Sequence, residues 1–307
     1  MKLALHLNNI RYLYDYLSMG VELFVVGGKY SSGHALELTI DELKEVKDKC
    51  IDRKVYVLVN GLYDQSEIDG IEDYLRQLND ISIDGLLFQD FGVLQIVKEN
   101  KYAFDMMYAP DTLNTNGMTL DVLSQYGVTS AYVSRVIPLQ EQLLIKEQCS
   151  LPLMVQGHGV EYMAASKRQL LSTYKEASQK EFSTDRDSHI VLKPRNSEFE
   201  CYIYEDKRGT HVYSCSRLYT LDLLNTLEVF DYLFIETLMM NDNEAIEVCS
   251  IYSDCIKALD SGWYNKEVKE FMPLLRKVSP SLSRGFLFDQ SVYKLEDMRK
   301  LDNERNQ

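Results

Sequence analysis

The sequence is short of positive charge. Its 33 lysines and arginines face 47 aspartates and glutamates, a formal net charge of −14. Such a field repels polyanions, and a stand-alone nucleic-acid binder needs a basic face. Direct contact with RNA or DNA therefore calls for a local basic patch or a partner. Long apolar runs are also missing: none approaches the roughly 18 residues that a membrane span needs. The start, Met1-Lys2-Leu3-Ala4-Leu5-His6-Leu7-Asn8, carries one basic residue and a short apolar stretch, unlike a secretory leader. A cytoplasmic location and no membrane partner are expected. None of the six cysteines stands in a C-x-x-C pair. No zinc or iron–sulfur framework is readable, and no metal site is expected. The hydrolase patterns G-x-S-x-G and H-E-x-x-H are absent, as are the phosphate loops G-x-G-x-x-G and G-x-x-x-x-G-K-[ST]. A protease reading thus has no support from motifs.

What is present is an ordinary globular composition over 307 residues, 45% hydrophobic and 26% charged. Short apolar runs alternate with Leu-rich amphipathic stretches. Strands are expected at residues 2–7, 23–26, 55–59, 85–88, 104–108, 131–133, 151–155 and 232–235. Helices are expected at 10–18, 40–49, 66–79, 93–99, 120–126, 139–147, 169–177 and 245–259. Several strands read as continuous apolar runs, as they do when helices cover both sheet faces. About eight strand–helix units, at about 25–30 residues each, predict an α/β fold of the (β/α)8 TIM-like type. The pattern breaks at 178–216, which reads as a polar insertion with an antiparallel hairpin before the last strand. The barrel is expected over 1–260, with a short helical tail over 261–307. A three-residue hairpin loop, Lys207-Arg208-Gly209, would set Cys201 opposite Cys215, leaving open whether they act as a pair.

In such barrels the loops at the carboxyl ends of the strands converge on one mouth. The polar residues there are His6 or Asn8, Gly27-Gly28-Lys29, Asn60, Asp90, Asp111, Ser134-Arg135, Gln156, His158 and Glu236. Asp90, His158 and Glu236 are the candidate acid–base groups. His158, in Gln156-Gly157-His158-Gly159, reads equally as a general base flanked by glycines or as a turn residue. Asn60, Arg135 and Ser166-Lys167-Arg168 are candidate substrate or anion ligands, the last three as the start of a helix.

The ordered pieces resemble peptidase family U32, the collagenase-like peptidases. Gly20-Val21-Glu22-Leu23-Phe24-Val25-Val26-Gly27 is similar to that family's GADAVYFG strand. Val55-Tyr56-Val57-Leu58-Val59-Asn60 is similar to its vyvtvN, and Tyr132-Val133-Ser134-Arg135 to its vLSRE. His158-Gly159 followed by Ser166-Lys167-Arg168-Gln169-Leu170-Leu171-Ser172 fits HGalCvaySGrCllS in register. Asp206-Lys207-Arg208-Gly209-Thr210-His211, Ile235-Glu236 and Arg284-Gly285-Phe286 match three later family words. Two family cysteines are replaced by Tyr162 and Gln169, so the resemblance implies a member without the iron–sulfur ligands. It implies the barrel, and a part in hydroxylating the tRNA wobble uridine to 5-hydroxyuridine with prephenate as co-substrate. It also implies a longer paralogue as partner, through which tRNA would be held. Two other readings stay open: a collagenase-like peptidase, and a non-catalytic barrel that scaffolds the paralogue.

Overall fold

The computed structural model describes residues 1–33, 35–111, 114–193, 200–279 and 281–289. Seven parallel strands follow in chain order: β1 (Lys2–His6), β2 (Leu23–Val26), β3 (Lys54–Val59), β4 (Gly85–Phe88), β5 (Asp105–Tyr108), β6 (Ser130–Tyr132) and β7 (Leu153–Ser166). Three further strands come next, β8 (Val191–Leu192), β9 (Cys201–Asp206) and β10 (Gly209–Tyr219), and then β11 (Tyr232–Ile235). β11 pairs in parallel with both β7 and β1, which closes an eight-stranded ring. The fold is the TIM-like barrel that the strand count predicts.

The continuous apolar runs have a plain cause here. Successive side chains of a strand point to opposite faces. Val55, Val57 and Val59 of β3 pack outward against the helices. Tyr56 and Leu58 fill the lumen with Leu23, Leu87, Met107, Met154 and Phe234. Both faces are buried, so neither can be polar. Each fully buried Leu or Val contributes about 1.5–3 kcal/mol of transfer free energy.

The helices are α1 (Leu13–Met19), α2 (Ile40–Lys49), α3 (Ile68–Asp80), α4 (Phe91–Asn100), α5 (Gly117–Gln125), α6 (Leu139–Gln148), α7 (Leu170–Ser178), α8 (Leu224–Leu227), α9 (Asp242–Ser261) and α10 (Tyr264–Val278). Thr39 starts α2 with a reciprocal capping box to Glu42, which satisfies two otherwise orphaned N–H groups. α9 packs on α1 and α10 packs on α9, which places α9 beside the first helix of the chain. A last short strand, β12 (Leu282–Ser283), then joins β10. No described helix is long and apolar enough to cross a membrane. The charged stretch 294–307, expected as a helix, lies outside the described residues.

Two sequence expectations are corrected. The seventh strand does not stop at 155. β7 runs on to Ser166, its first half in the ring and its second half paired antiparallel with β10. The insertion is therefore a second sheet, β7-β10-β9-β8, growing out of a barrel strand. In the hairpin, Gly209 pairs with Asp206, so the loop is Lys207-Arg208 alone. That one-residue difference places Ser214, not Cys215, opposite Cys201 and turns Cys215 to the other face. Both thiols are free.

Candidate functional site

At the mouth, His6 ends β1 and its Nδ1 lies 2.7 Å from Glu236 Oε1. The Ala35 N–H donates to His6 Nε2 at 3.1 Å. Nε2 is thus the acceptor, and the ring proton sits on Nδ1, facing Glu236. Glu236 Oε1 also accepts from the Leu238 N–H at 2.8 Å. Asn60, just past β3, accepts from the Ser32 N–H at 2.9 Å and donates to the Ser32 carbonyl at 3.0 Å. Glu236, Asn60, Asp111 and Arg135 line one inner cavity of about 40 Å³. A space of that size holds a few waters at most.

Arg135 lies three residues past β6, with its side chain only 10% exposed. Its guanidinium carbon sits 5.0 Å from the Tyr132 ring centre and 5.8 Å from that of Tyr162. Among the described residues its one hydrogen-bond acceptor is Asp111 Oδ1, at a long 3.3 Å. Burial raises Asp111 above the usual carboxylate range, against the downward pull of Arg135 and His211. Asp111 is also part of an outer cleft of about 480 Å³, bounded by Gln89, Tyr162, Lys167, Arg208 and His211. Arg208 is held over the faces of Tyr30 and Tyr63, at 5.3 and 5.2 Å, and is paired with Glu67. Lys167 Nζ lies 2.6 Å from Asp64. These pairs tie the hairpin tip and the end of β7 to the barrel rim. His211 Nε2 lies 2.9 Å from Asp206 Oδ1, and its buried Nδ1 has no partner among the described residues.

The structure thus brings Asn60, Arg135 and Glu236 around one cavity and places Ser166 and Lys167 on the adjoining cleft. Ser166-Lys167-Arg168 is not a helix start. Ser166 ends β7, its Oγ accepts from the Arg168 N–H, and α7 begins at Leu170. Asp90 caps α4 through the Gly92 N–H at 2.8 Å and accepts from the Tyr63 N–H at 3.4 Å, so its carboxylate organises loops.

His158 does not reach the mouth. It is fully buried on the helix side of β7, 3.4 Å from Ser279 Oγ and 3.5 Å from the Tyr252 hydroxyl. Burial, helped by the charge of Arg217, holds its pKa down at about 3. It is a neutral packing residue there, and its contact with Ser279 is sealed from any substrate. Gly159 beside it has φ +112, and a Cβ would meet the Glu236 carbonyl oxygen at 2.1 Å. The glycine therefore serves the close approach of β7 to β11, not of a ligand.

Sequence reasoning named Lys207-Arg208 only as part of a hairpin loop and His211 only within a family word. Their role in the cleft depends on the docking of the hairpin, which local spacing does not encode. Tyr162 and Gln169 stand where the resemblance puts cluster cysteines. Tyr162 packs edge-on against Tyr213 at 4.9 Å, and Gln169 donates to the Asp206 carbonyl at 2.7 Å. A phenol and an amide so engaged do not fit an iron–sulfur group. Among the described residues no cluster of three or more His, Cys, Asp or Glu side chains is placed to hold a metal ion.

The chain is 25% identical over 300 residues to tRNA hydroxylation protein P2 of Bacillus subtilis, covering 90% of this chain and 94% of that protein. It is 29% identical over 178 residues to tRNA hydroxylation protein P of Haemophilus influenzae, which is 55% of this chain and 37% of that longer protein. Among solved structures, the U32 peptidase Mk0906 superposes with a TM-score of 0.49 at 15% identity, covering 77% of this chain and 92% of that one. The model of peptidase family U32 matches residues 8–297, so the chain belongs to that family.

Proposed function

We propose that this protein takes part in tRNA hydroxylation, at the wobble uridine, to form 5-hydroxyuridine. One observation carries the reading. The relative that aligns from end to end, over 94% of its own length, is named for tRNA hydroxylation. In this reading the mouth binds an anionic co-substrate, prephenate, with one carboxylate at Arg135 and the body in the outer cleft. A nine-tenths buried guanidinium with a single long hydrogen bond supports an anion there. A longer paralogue supplies the contact with tRNA. The net charge of −14, and cations at the cleft already paired with Asp64 and Glu67, agree with a subunit that does not grip RNA alone. The protein works in the cytoplasm, where tRNA is found. The peptidase reading draws on the family name alone. Among the described residues neither Ser32 nor Ser166, the serines of the cleft, hydrogen-bonds a histidine.

Deleting the gene in its own host and analysing tRNA nucleosides by mass spectrometry tests the reading. Loss of 5-hydroxyuridine and its derivatives, restored by the wild-type gene, is expected. Unchanged nucleosides would remove the proposal. Restoration by an Arg135→Ala gene as complete as by wild type would leave only a scaffold.

A further inference from the structure

Asp111 and Ser32 line both the inner cavity and the outer cleft, and Asp111 is the one of the two that pairs with Arg135. The inner cavity, about 40 Å³, is too small for an organic ligand. A ligand body must therefore stay in the outer cleft, and Asp111, with Ser32, stands on the boundary that its carboxylate crosses to reach Arg135. We propose that Asp111 is a displaceable counter-ion: an incoming carboxylate replaces it on Arg135, and Asp111 then takes up one proton from solvent. This rests on the reading of the mouth as an anion site and says how binding there is regulated.

The present pair is poorly made. A guanidinium offers five donors in a planar fork that suits a carboxylate with two parallel bonds. Asp111 gives Arg135 one bond of 3.3 Å. A ligand carboxylate free to align would form two shorter ones. The groups that face Asp111 come from five strands or strand ends. Arg135 and Tyr132 stand at β6, Gln89 after β4, Tyr162 on β7, His211 and Tyr213 on β10, and Glu236 after β11. Only Arg135 and His211 among them can be positive. Once Arg135 is engaged by a second anion, Asp111 faces that anion and Glu236 in a site poor in water. Its neutral form is then favoured. Burial already pushes the Asp111 carboxyl upward.

The consequence is anion binding coupled to proton uptake. Oxalate is a suitable probe, because both its carboxyls stay ionised above pH 6. Oxamide, its neutral analogue, is the control. Calorimetric titration of the purified full chain between pH 6 and pH 8.5 should show oxalate binding tighten as pH falls. The slope should approach about tenfold per pH unit for one proton taken up. Oxamide should not bind. In a Glu161→Gln background, which removes the other carboxyl near Arg135 that titrates in this range, Asp111→Asn should bind oxalate at least about tenfold tighter at pH 8 and lose the slope, since an amide neither competes for Arg135 as an anion nor titrates. An Asp111→Asn protein with the affinity and slope of its Glu161→Gln parent overturns the counter-ion proposal while leaving the anion site intact. An Arg135→Gln protein that binds oxalate as wild type does, or oxamide binding equal to oxalate, overturns the anion site itself. Heat uptake that changes with the ionisation enthalpy of the buffer distinguishes a proton taken from solvent from a purely electrostatic effect.

Discussion

Replacing His158 with leucine should leave the protein folded and change how its stability depends on pH. The ring is fully buried and its pKa is held at about 3. In the unfolded chain the same ring titrates near 6.5. Between those values the unfolded state binds more protons, so the neutral ring's contribution is complete above pH 6.5 and is lost as pH falls toward 3. At pH 5, about 1.5 units below the unfolded value, the loss is about 2 kcal/mol at ~1.36 kcal/mol per unit. The neighbours do not need the ring. The Tyr252 hydroxyl donates to the Gly157 carbonyl at 2.9 Å, and Ser279 Oγ donates to Glu244 at 2.6 Å. Leucine is close in volume and strands neither group, so at pH 7 the variant should lie within about 1.5 kcal/mol of the parent. Urea titrations of both proteins at pH 7 and pH 5 measure the effect. The parent should lose about 2 kcal/mol more than the variant over that interval. Equal losses would refute the buried neutral histidine. A folded variant that has lost tRNA hydroxylation in the host would refute its purely structural place.

Two further substitutions probe the end of the described chain. Burial, opposed by Arg135 and reinforced by Asp289, pushes Glu161 up to about 7, and its Oε1 has no partner among the described residues. A raised folded value means stability is complete below the unfolded pKa and is lost as pH rises through 7. Glu161→Gln should therefore gain up to about 3 kcal/mol over the parent at pH 8.5 and almost nothing at pH 4.5. Thermal unfolding at the two pH values reads this, and parallel curves would discard it. Gly285 has φ +51, and a Cβ there would lie 2.2 Å from Glu161 Oε1. Gly285→Ala should cost about 1–3 kcal/mol by urea denaturation, from backbone strain plus overlap, and a cost below about 0.5 would contradict the packing.

The ring strands were legible because burial on both faces writes itself into the sequence as unbroken apolar runs. Val55 to Val59 is such a run, and helices flank it. The ends of strands were less legible. Gly157-His158-Gly159 has the composition of a turn, yet the ladder continues through it after a register shift against β11. What decides is a neighbouring backbone that local spacing cannot show. Asp90 and Asp111 look alike in sequence, each an acid after a strand. Asp90 meets the Gly92 N–H two residues on and becomes a cap. Asp111 meets a guanidinium 24 residues away. Arg208 and His211 belong to the cleft only because the insertion folds back over the rim.

The order in which the ring is made has a consequence for synthesis. β1 pairs with β7's other neighbour, β11, across a separation of 230 residues, and the insertion is translated between them. As the chain leaves the ribosome, its first strand therefore waits with one edge unmatched until about three-quarters of the polypeptide has emerged. A product broken off before Tyr232 would carry two raw strand margins, a ready template for clumping with other unfinished copies.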